Sequence, residues 1–388
     1  MTVAQPMRNG QEADLDRLLA MIERHVDLDH CREVDQRYRA TLACEPVDRP
    51  PLVVRPPFAA RLQLPAPWDA FTLYAHREAY NDPLAMMQNQ LLGSVVPGLL
   101  LKDDHPLLIR ADHGTIQIAS LLGARWEQAN DNPPWVYSLG SAEAIAAVAE
   151  GRTPLDLDSG GVLARSFATL RLFHDKLAAY PQARQAIQIV MPDLQGPLDT
   201  ADQLWGCGMF AAVYEEPQLV DKLLSRIVDV MLQVAGKFRA FATDRLDPFA
   251  NAQHAWQVPG RLLIRNDSAI MLSPQMYADQ VRPHDQRLLL AVGGGSQHFC
   301  GNGQHLIQPM LDTEGMRGFD FGQPWLMDED RVYAQTVARR VPFTNHRPPR
   351  EELVNGHARR RFPTGVVFTY EPRDFDDARE VVATFRQI

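Results

Sequence analysis

Cysteine is scarce in this chain: Cys31, Cys44, Cys207 and Cys300 are the only four among 388 residues. None forms a CxxC pair, and their spacing gives no disulfide framework, so a reducing cytoplasm is the default compartment. No run of about 18 residues is apolar throughout, and no membrane span is expected. The opening stretch, MTVAQPMRNGQEADLDRLL, lacks the apolar centre of a signal peptide. Positive charge is in deficit, with 39 basic against 48 acidic side chains and a net charge of -9, which argues against nucleic acid as a partner. The basic residues that do cluster (Arg339, Arg340, Arg347, Arg350, Arg359, Arg360 and Arg361) read as a solvated face or as a patch for an anionic substrate or partner. Gly-rich cofactor motifs are missing too. No dinucleotide fingerprint follows an early strand, and Gly293-Gly294-Gly295 is not followed by the Lys and Ser/Thr of a phosphate loop. There is no short internal repeat and no low-complexity segment.

What is present is enough apolar material for a large core: 45% hydrophobic against 22% charged residues, the balance of a soluble globular chain. Strand-like and helix-like segments alternate from end to end. Leu15, Leu18, Leu19, Ile22, Val34, Tyr38 and Leu42 have helical spacing, and the prolines of EPVDRPP stop that pattern before a first strand, Leu52-Val53-Val54. A Pro-rich loop over 56–70, a helix over Tyr80–Leu101 and a second strand at Leu107–Ile109 follow. Residues 124–137 read as a surface excursion. Ser141 caps a short helix, and 161–180 continues as helix. Further strands are expected at Ile187–Met191, Phe249–Trp256, Leu262–Arg265, Ser296–Phe299 and Met316–Phe321. Val341–Thr344 and Val366–Tyr370 compete for the eighth place. Long helices are expected at Pro217–Thr243 and Pro274–Leu290, and Asp374–Phe385 closes the chain. About eight strand–helix units favour a TIM barrel, here residues 50–388, behind an N-terminal helical extension, residues 1–49.

In such a fold, function collects where the strands end. Asp112 and His113 follow the second strand, Asp193 and Gln195 the third, and Arg265, Asp267 and Ser268 the fifth. Asp267 is a candidate acid/base or substrate-orienting carboxylate; the alternative is a helix cap or a salt bridge to Arg265 that orders the loop. Asp193 is a second catalytic candidate. Asp112, His113, Gln195, Arg265, Ser268 and Asn302 are candidate substrate contacts. The expectation is that Asp112, Asp193, Asp267 and His298 converge on one mouth. Cys207, between two glycines, reads as a small buried hydrophobe, and Trp205, Trp256 and Trp325 as core or as pocket lining.

Four stretches carry a resemblance: Glu45-Pro46-Val47-Asp48-Arg49-Pro50-Pro51, Gly196-Pro197-Leu198-Asp199-Thr200, Asp267-Ser268-Ala269 with Leu272-Ser273-Pro274, and His298-Phe299-Cys300-Gly301-Asn302. In this order they resemble the uroporphyrinogen decarboxylase superfamily, from about residue 36 to the end. The resemblance implies a distorted TIM barrel, a homodimer, and one of two chemistries. True decarboxylases carry an Arg-rich RQAGRY-type segment after the first strand. Here that region reads Arg55-Pro56-Pro57-Phe58-Ala59-Ala60-Arg61, without the motif. The other branch moves methyl groups between corrinoid proteins, methylated substrates and thiols, with His-x-Cys and a distant C-terminal Cys binding zinc. His298 and Cys300 resemble the first pair. No cysteine follows Cys300, and the expected position falls near Phe368–Glu371.

Side chains two apart on a strand share a face, so His298 and Cys300 can approach one Zn²⁺. Two ligands do not hold zinc, and Glu371, His254 or Cys207 would have to complete the set. Glu371 is the first choice because it lies where the family's last cysteine would fall. The alternative is a metal-free hydrogen-bonded pair. The leading expectation is therefore a metal-assisted, corrinoid-linked methyltransferase-like enzyme. A metal-free decarboxylase or lyase acting on a carboxylated small molecule or tetrapyrrole is the alternative, and a ligand-binding barrel without activity the third reading.

Overall fold

Continuous apolar runs too short for helices form the centre of the molecule, as buried parallel strands do. The structure, a computed structural model, describes residues 5–55, 63–252 and 255–388, with side chains from Gly10 onward. The strands in chain order are β1 (Leu52–Val54), β2 (Leu108–Arg110), β3 (Trp126–Glu127), β4 (Trp135–Val136), β5 (Gln188–Val190), β6 (Ala250–Asn251), β7 (Val258–Pro259), β8 (Leu263–Arg265), β9 (Gly295–Phe299), β10 (Met316–Phe321), β11 (Phe343–His346) and β12 (Val366–Tyr370). Six form one parallel sheet in the order β1-β12-β11-β10-β9-β8, and β2 pairs with β5, also in parallel. The chain is thus α/β, with a mostly parallel central sheet.

Both ends of the six-stranded sheet are engaged. At the β1 edge, the N–H groups of Leu52 and Val54 donate to the carboxylates of Asp104 (2.9 Å) and Asp103 (2.6 Å), and Asp104 N–H donates back to Leu52 O (3.0 Å). Side chains just before β2 thus satisfy donors that an adjacent strand would otherwise take. At the β8 edge, Gly196 N–H donates to Arg265 O (2.8 Å). A Cβ on Gly196 would collide with that carbonyl, so the close approach needs glycine.

Most expected elements lie where the sequence placed them. Two differ. Phe249–Trp256 is not a strand of the parallel sheet: prolines 248 and 259 bound the run, and only β6 forms, paired antiparallel with β7. The competitors for the eighth place are both strands, β11 and β12, lying side by side. Pro83–Leu101 carries no charge and is long and apolar enough, by length and composition, to cross a membrane. It is mostly buried inside the protein, as a helix broken by a π turn at Leu91–Val95.

The N-terminal helices, Gln5–His25 and Leu28–Leu42, dock onto the rest of the chain. Leu15, Leu18, Leu19 and Ile22 are fully buried and share one apolar cluster with Leu52 and Met87. Asp27 caps the second helix by accepting from His30 N–H (3.0 Å), and Asp35 pairs with Arg245 (2.8 Å).

Candidate metal centre

β9 alternates. Phe299 packs with Phe319 and Phe321 of β10, with ring centroids 6.4 and 5.1 Å away. Its neighbours in sequence, His298 and Cys300, therefore take the opposite face. Register sets His298 beside Asp320 of β10 and Arg265 of β8. His298 is 3% exposed, and its Nδ1 lies 2.5 Å from Asp320 Oδ2. An ionised carboxylate only accepts, so this contact puts a proton on Nδ1. Asp320 is itself held: its Oδ1 accepts from Trp256 Nε1–H (2.7 Å) and from the Thr344 hydroxyl (2.7 Å). Burial lowers the His298 pKa, but the hydrogen bonds to Asp320 and Cys300 outweigh it and raise the value to about 10.

The other ring nitrogen faces two further donor groups. Nε2 is 3.4 Å from Cys300 Sγ and 3.6 Å from Asp267 Oδ1, and the three ligand atoms lie within 4.8 Å of one another. Asp267 is positioned at both its ends. Its Oδ1 accepts from Cys300 N–H (2.6 Å), while its own N–H and that of Ser268 donate to the two oxygens of Asp199 (2.9 and 2.8 Å). Asp199 sits in the first turn of the helix Pro197–Trp205, and Asp202 of the same helix accepts from the Ser268 hydroxyl (2.9 Å). On the far side of Cys300, the N–H of Gly301 donates to the Gln323 side chain.

The trio could hold a metal ion. Tetrahedral coordination at about 2.0–2.3 Å places ligand atoms roughly 3.3–3.7 Å apart, and the two measured edges fall in that range. Thiolate, imidazole and carboxylate suit a borderline ion, three protein ligands leave one position open, and Asp320 supplies the outer carboxylate that orients a ligating imidazole.

Next to this centre, Asp193 chelates Arg265: Nε is 3.0 Å from both its oxygens and Nη2 is 2.5 Å from one. Arg110 approaches Asp193 (3.6 Å) and Asp112 (3.4 Å). Asp112, Asp193, Asp267 and His298 thus gather at the carboxyl ends of the strands, as expected. A cavity of about 600 Å³ opens there, with Val54, Arg55, Tyr80, Arg110, Asp112 and Glu371 in its wall.

Several candidates do other work. Glu371 is not brought to His298 and Cys300; it lies 3.6 Å from Arg347, and Asp267 takes the third place. Arg265 pairs with Asp193 rather than with Asp267. His113 is buried, with Nε2 3.0 Å from Thr169 Oγ1 and its ring edge-on to Tyr80, and burial lowers its pKa to about 4. The Ser268 hydroxyl is spent on Asp202, and the exposed Asn302 accepts from Gln304 N–H (3.2 Å). Gln195 keeps a buried Oε1 without a partner. Cys207 is exposed rather than buried, with no role at the centre. His254, and the stretch from Pro56 to Arg61, lie outside the described residues. Of the site residues, sequence reasoning misses Asp320, reads Asp199 only as part of a motif, and reads Trp256 only as core or pocket lining. A lone carboxylate in the apolar run MRGFDF was the signal for Asp320, because a buried charge needs partners.

No protein-family profile matches the chain, and no curated protein matches it.

Proposed function

We propose that this chain is a metal-assisted methyltransferase-like enzyme of the uroporphyrinogen decarboxylase superfamily, acting with a corrinoid protein, and that its eight parallel strands close into a TIM barrel. The contacts between β1 and the Asp103-Asp104 segment, and between Gly196 and β8, support closure, since the segment before β2 and the one after β5 reach the two ends of the six-stranded sheet. The observation that carries the functional reading is the Asp267–His298–Cys300 trio with Asp320 behind it.

In this reading Asp267 replaces the distant cysteine of the family pattern and acts as ligand rather than as acid/base. Cys300 would hold the metal as thiolate and His298 through Nε2, with its Nδ1 proton held by Asp320. Asp199 fixes the loop that presents Asp267. When bound, zinc supplies Lewis-acid activation of a thiol or of a methylated substrate. A carboxylate in place of one thiolate makes a harder and more exchangeable site.

The metal-free lyase alternative requires several guanidiniums free for substrate carboxylates. Arg110 and Arg265 are engaged by Asp193, and Arg347 lies against Glu371, which leaves Arg55. The test is metal analysis of protein purified without chelator or metal-affinity resin, followed by methyl transfer from free methylcobalamin to a simple thiol such as 2-mercaptoethanol, which breaks the cobalt–carbon bond and releases cob(I)alamin, the methyl thioether and a proton. One zinc per chain and zinc-dependent transfer are expected. Turnover by protein that takes up no zinc would end this reading.

A further inference from the structure

The cavity beside the metal centre has four charged groups in its wall, Arg55, Arg110, Asp112 and Glu371. Three of them are matched. Arg110 lies against Asp112 (3.4 Å) and Asp193 (3.6 Å), which also accounts for Asp112, and Glu371 lies against Arg347 (3.6 Å). Arg55 is the exception: no carboxylate among the described residues comes within ion-pair distance of it. Its guanidinium sits over the Trp256 ring, 5.3 Å from the centroid. Burial first, then the nearby Arg347, lowers its pKa, against the pull of the Glu371 and Asp320 carboxylates, which lie beyond ion-pair distance. His105 in the same wall does not share this role. Its Nδ1 accepts from Leu107 N–H (3.0 Å), its Nε2 reaches Ser94 Oγ (3.2 Å), and burial holds it neutral, with a pKa of about 3.

We infer that this cavity is a binding site for a small molecule with one carboxylate-type anionic group on an apolar body, the anion paired with Arg55. A partly exposed guanidinium in a cavity wall, with no carboxylate in ion-pair reach, is open to an anion, and a planar oxyanion matches its fork in two hydrogen bonds. Val54, Tyr80 and Met86 supply an apolar wall, and the volume is that of a small-ligand pocket. A second anionic group on the ligand would face Asp112 or Glu371, so the site selects against polyanions. A chain of side-chain contacts also runs from Arg55 to the metal centre. The indole that Arg55 covers donates to Asp320, the carboxylate that orients His298. That the bound molecule is the substrate rests on the function proposed above; the binding itself does not.

The probes are benzoate, its neutral isostere benzamide, the dianion phthalate and inorganic phosphate, each titrated calorimetrically into the full chain. Benzoate is expected to bind the wild type at least tenfold more tightly than the other three. Arg55→Gln is expected to weaken benzoate at least tenfold, with zinc content and melting temperature unchanged, and Arg55→Lys to fall between. His298→Ala is expected to bind benzoate as the wild type does, so loss of the metal centre and loss of the anion site are separable. Benzoate affinity unchanged in Arg55→Gln, phosphate or phthalate binding as tightly as benzoate, or no benzoate binding to the wild type would each overturn the assignment.

Discussion

Asp320 and His298 face each other across the β9–β10 register, with 2.5 Å between carboxylate and ring nitrogen. The contact keeps the proton on Nδ1 and turns Nε2 toward Cys300 and Asp267. Asp320→Asn disturbs this without changing shape. The asparagine oxygen satisfies Trp256 and Thr344, and its amide then donates to His298 Nδ1, moving the imidazole proton to Nε2, the wrong nitrogen for a ligand. Zinc affinity, measured by competition with a chromophoric chelator, is expected to fall about 10–100-fold. Unchanged affinity would show that Asp320 only fills space.

The ligand set is tested by contrast. Cys300→Ser and Asp267→Asn are each expected to abolish zinc binding and activity while shifting the melting temperature by no more than a few degrees, because both side chains are partly exposed at strand ends. Glu371→Gln is expected to leave zinc content unchanged, since that carboxylate belongs to Arg347. Elemental analysis of the three variants decides. Zinc lost in Glu371→Gln and kept in Asp267→Asn would reverse the assignment of the third ligand.

How much of this was legible beforehand follows from which signals are local. Strand positions were legible because buried parallel strands are short continuous apolar runs between Pro, Gly and helix signals, as β1 and β9 show. His298 and Cys300 on one face follow from period two. The failures are nonlocal. β6 shrank to two residues because prolines bracket the run, although its composition suits a strand. Glu371 and Asp267 are both carboxylates near strand ends, and only the order of strands in the sheet decides which lies beside His298: β8 neighbours β9, while β12 lies three strands away. Asp320 needed the β9–β10 register, which one strand's sequence does not contain.

Asp199 is a positioning residue, because it reaches the centre only through the backbone of Asp267 and Ser268. Two N–H groups donate to its two oxygens. Asparagine retains one acceptor and points an amide at the other donor, so Asp199→Asn frees the loop on one side. Zinc affinity is expected to drop about tenfold, and stability by roughly 1–3 kcal/mol from the unmet donor. Asp199→Glu, which keeps both oxygens, is expected to recover part of the zinc affinity. Stability lost with zinc affinity intact would mean that the residue holds the fold and not the ligand.

The last prediction concerns Asp285, a fully buried carboxyl that accepts from Tyr277 (2.9 Å) and Asn266 (2.8 Å). Burial raises its pKa from 3.8 to about 7, against the opposing pull of those two hydrogen bonds. The folded state therefore holds this proton more tightly than the unfolded chain does. Its contribution to stability is fully present below about pH 4, declines as pH rises toward 7, and is gone above that. Between those limits the slope approaches about 1.4 kcal/mol per pH unit for one proton. Asp103, Asp199 and Asp244, with pKa values raised by burial to about 8, 7 and 6, act with the same sign, so the wild-type slope is a sum. Asp285→Asn keeps an oxygen to accept from Tyr277 and Asn266 and cannot ionise. Urea unfolding of wild type and Asp285→Asn at several pH values from 4.5 to 7.5 is expected to show the variant gaining on the wild type as pH rises. A constant difference across that range would mean that Asp285 is already ionised in the folded protein at pH 4.5.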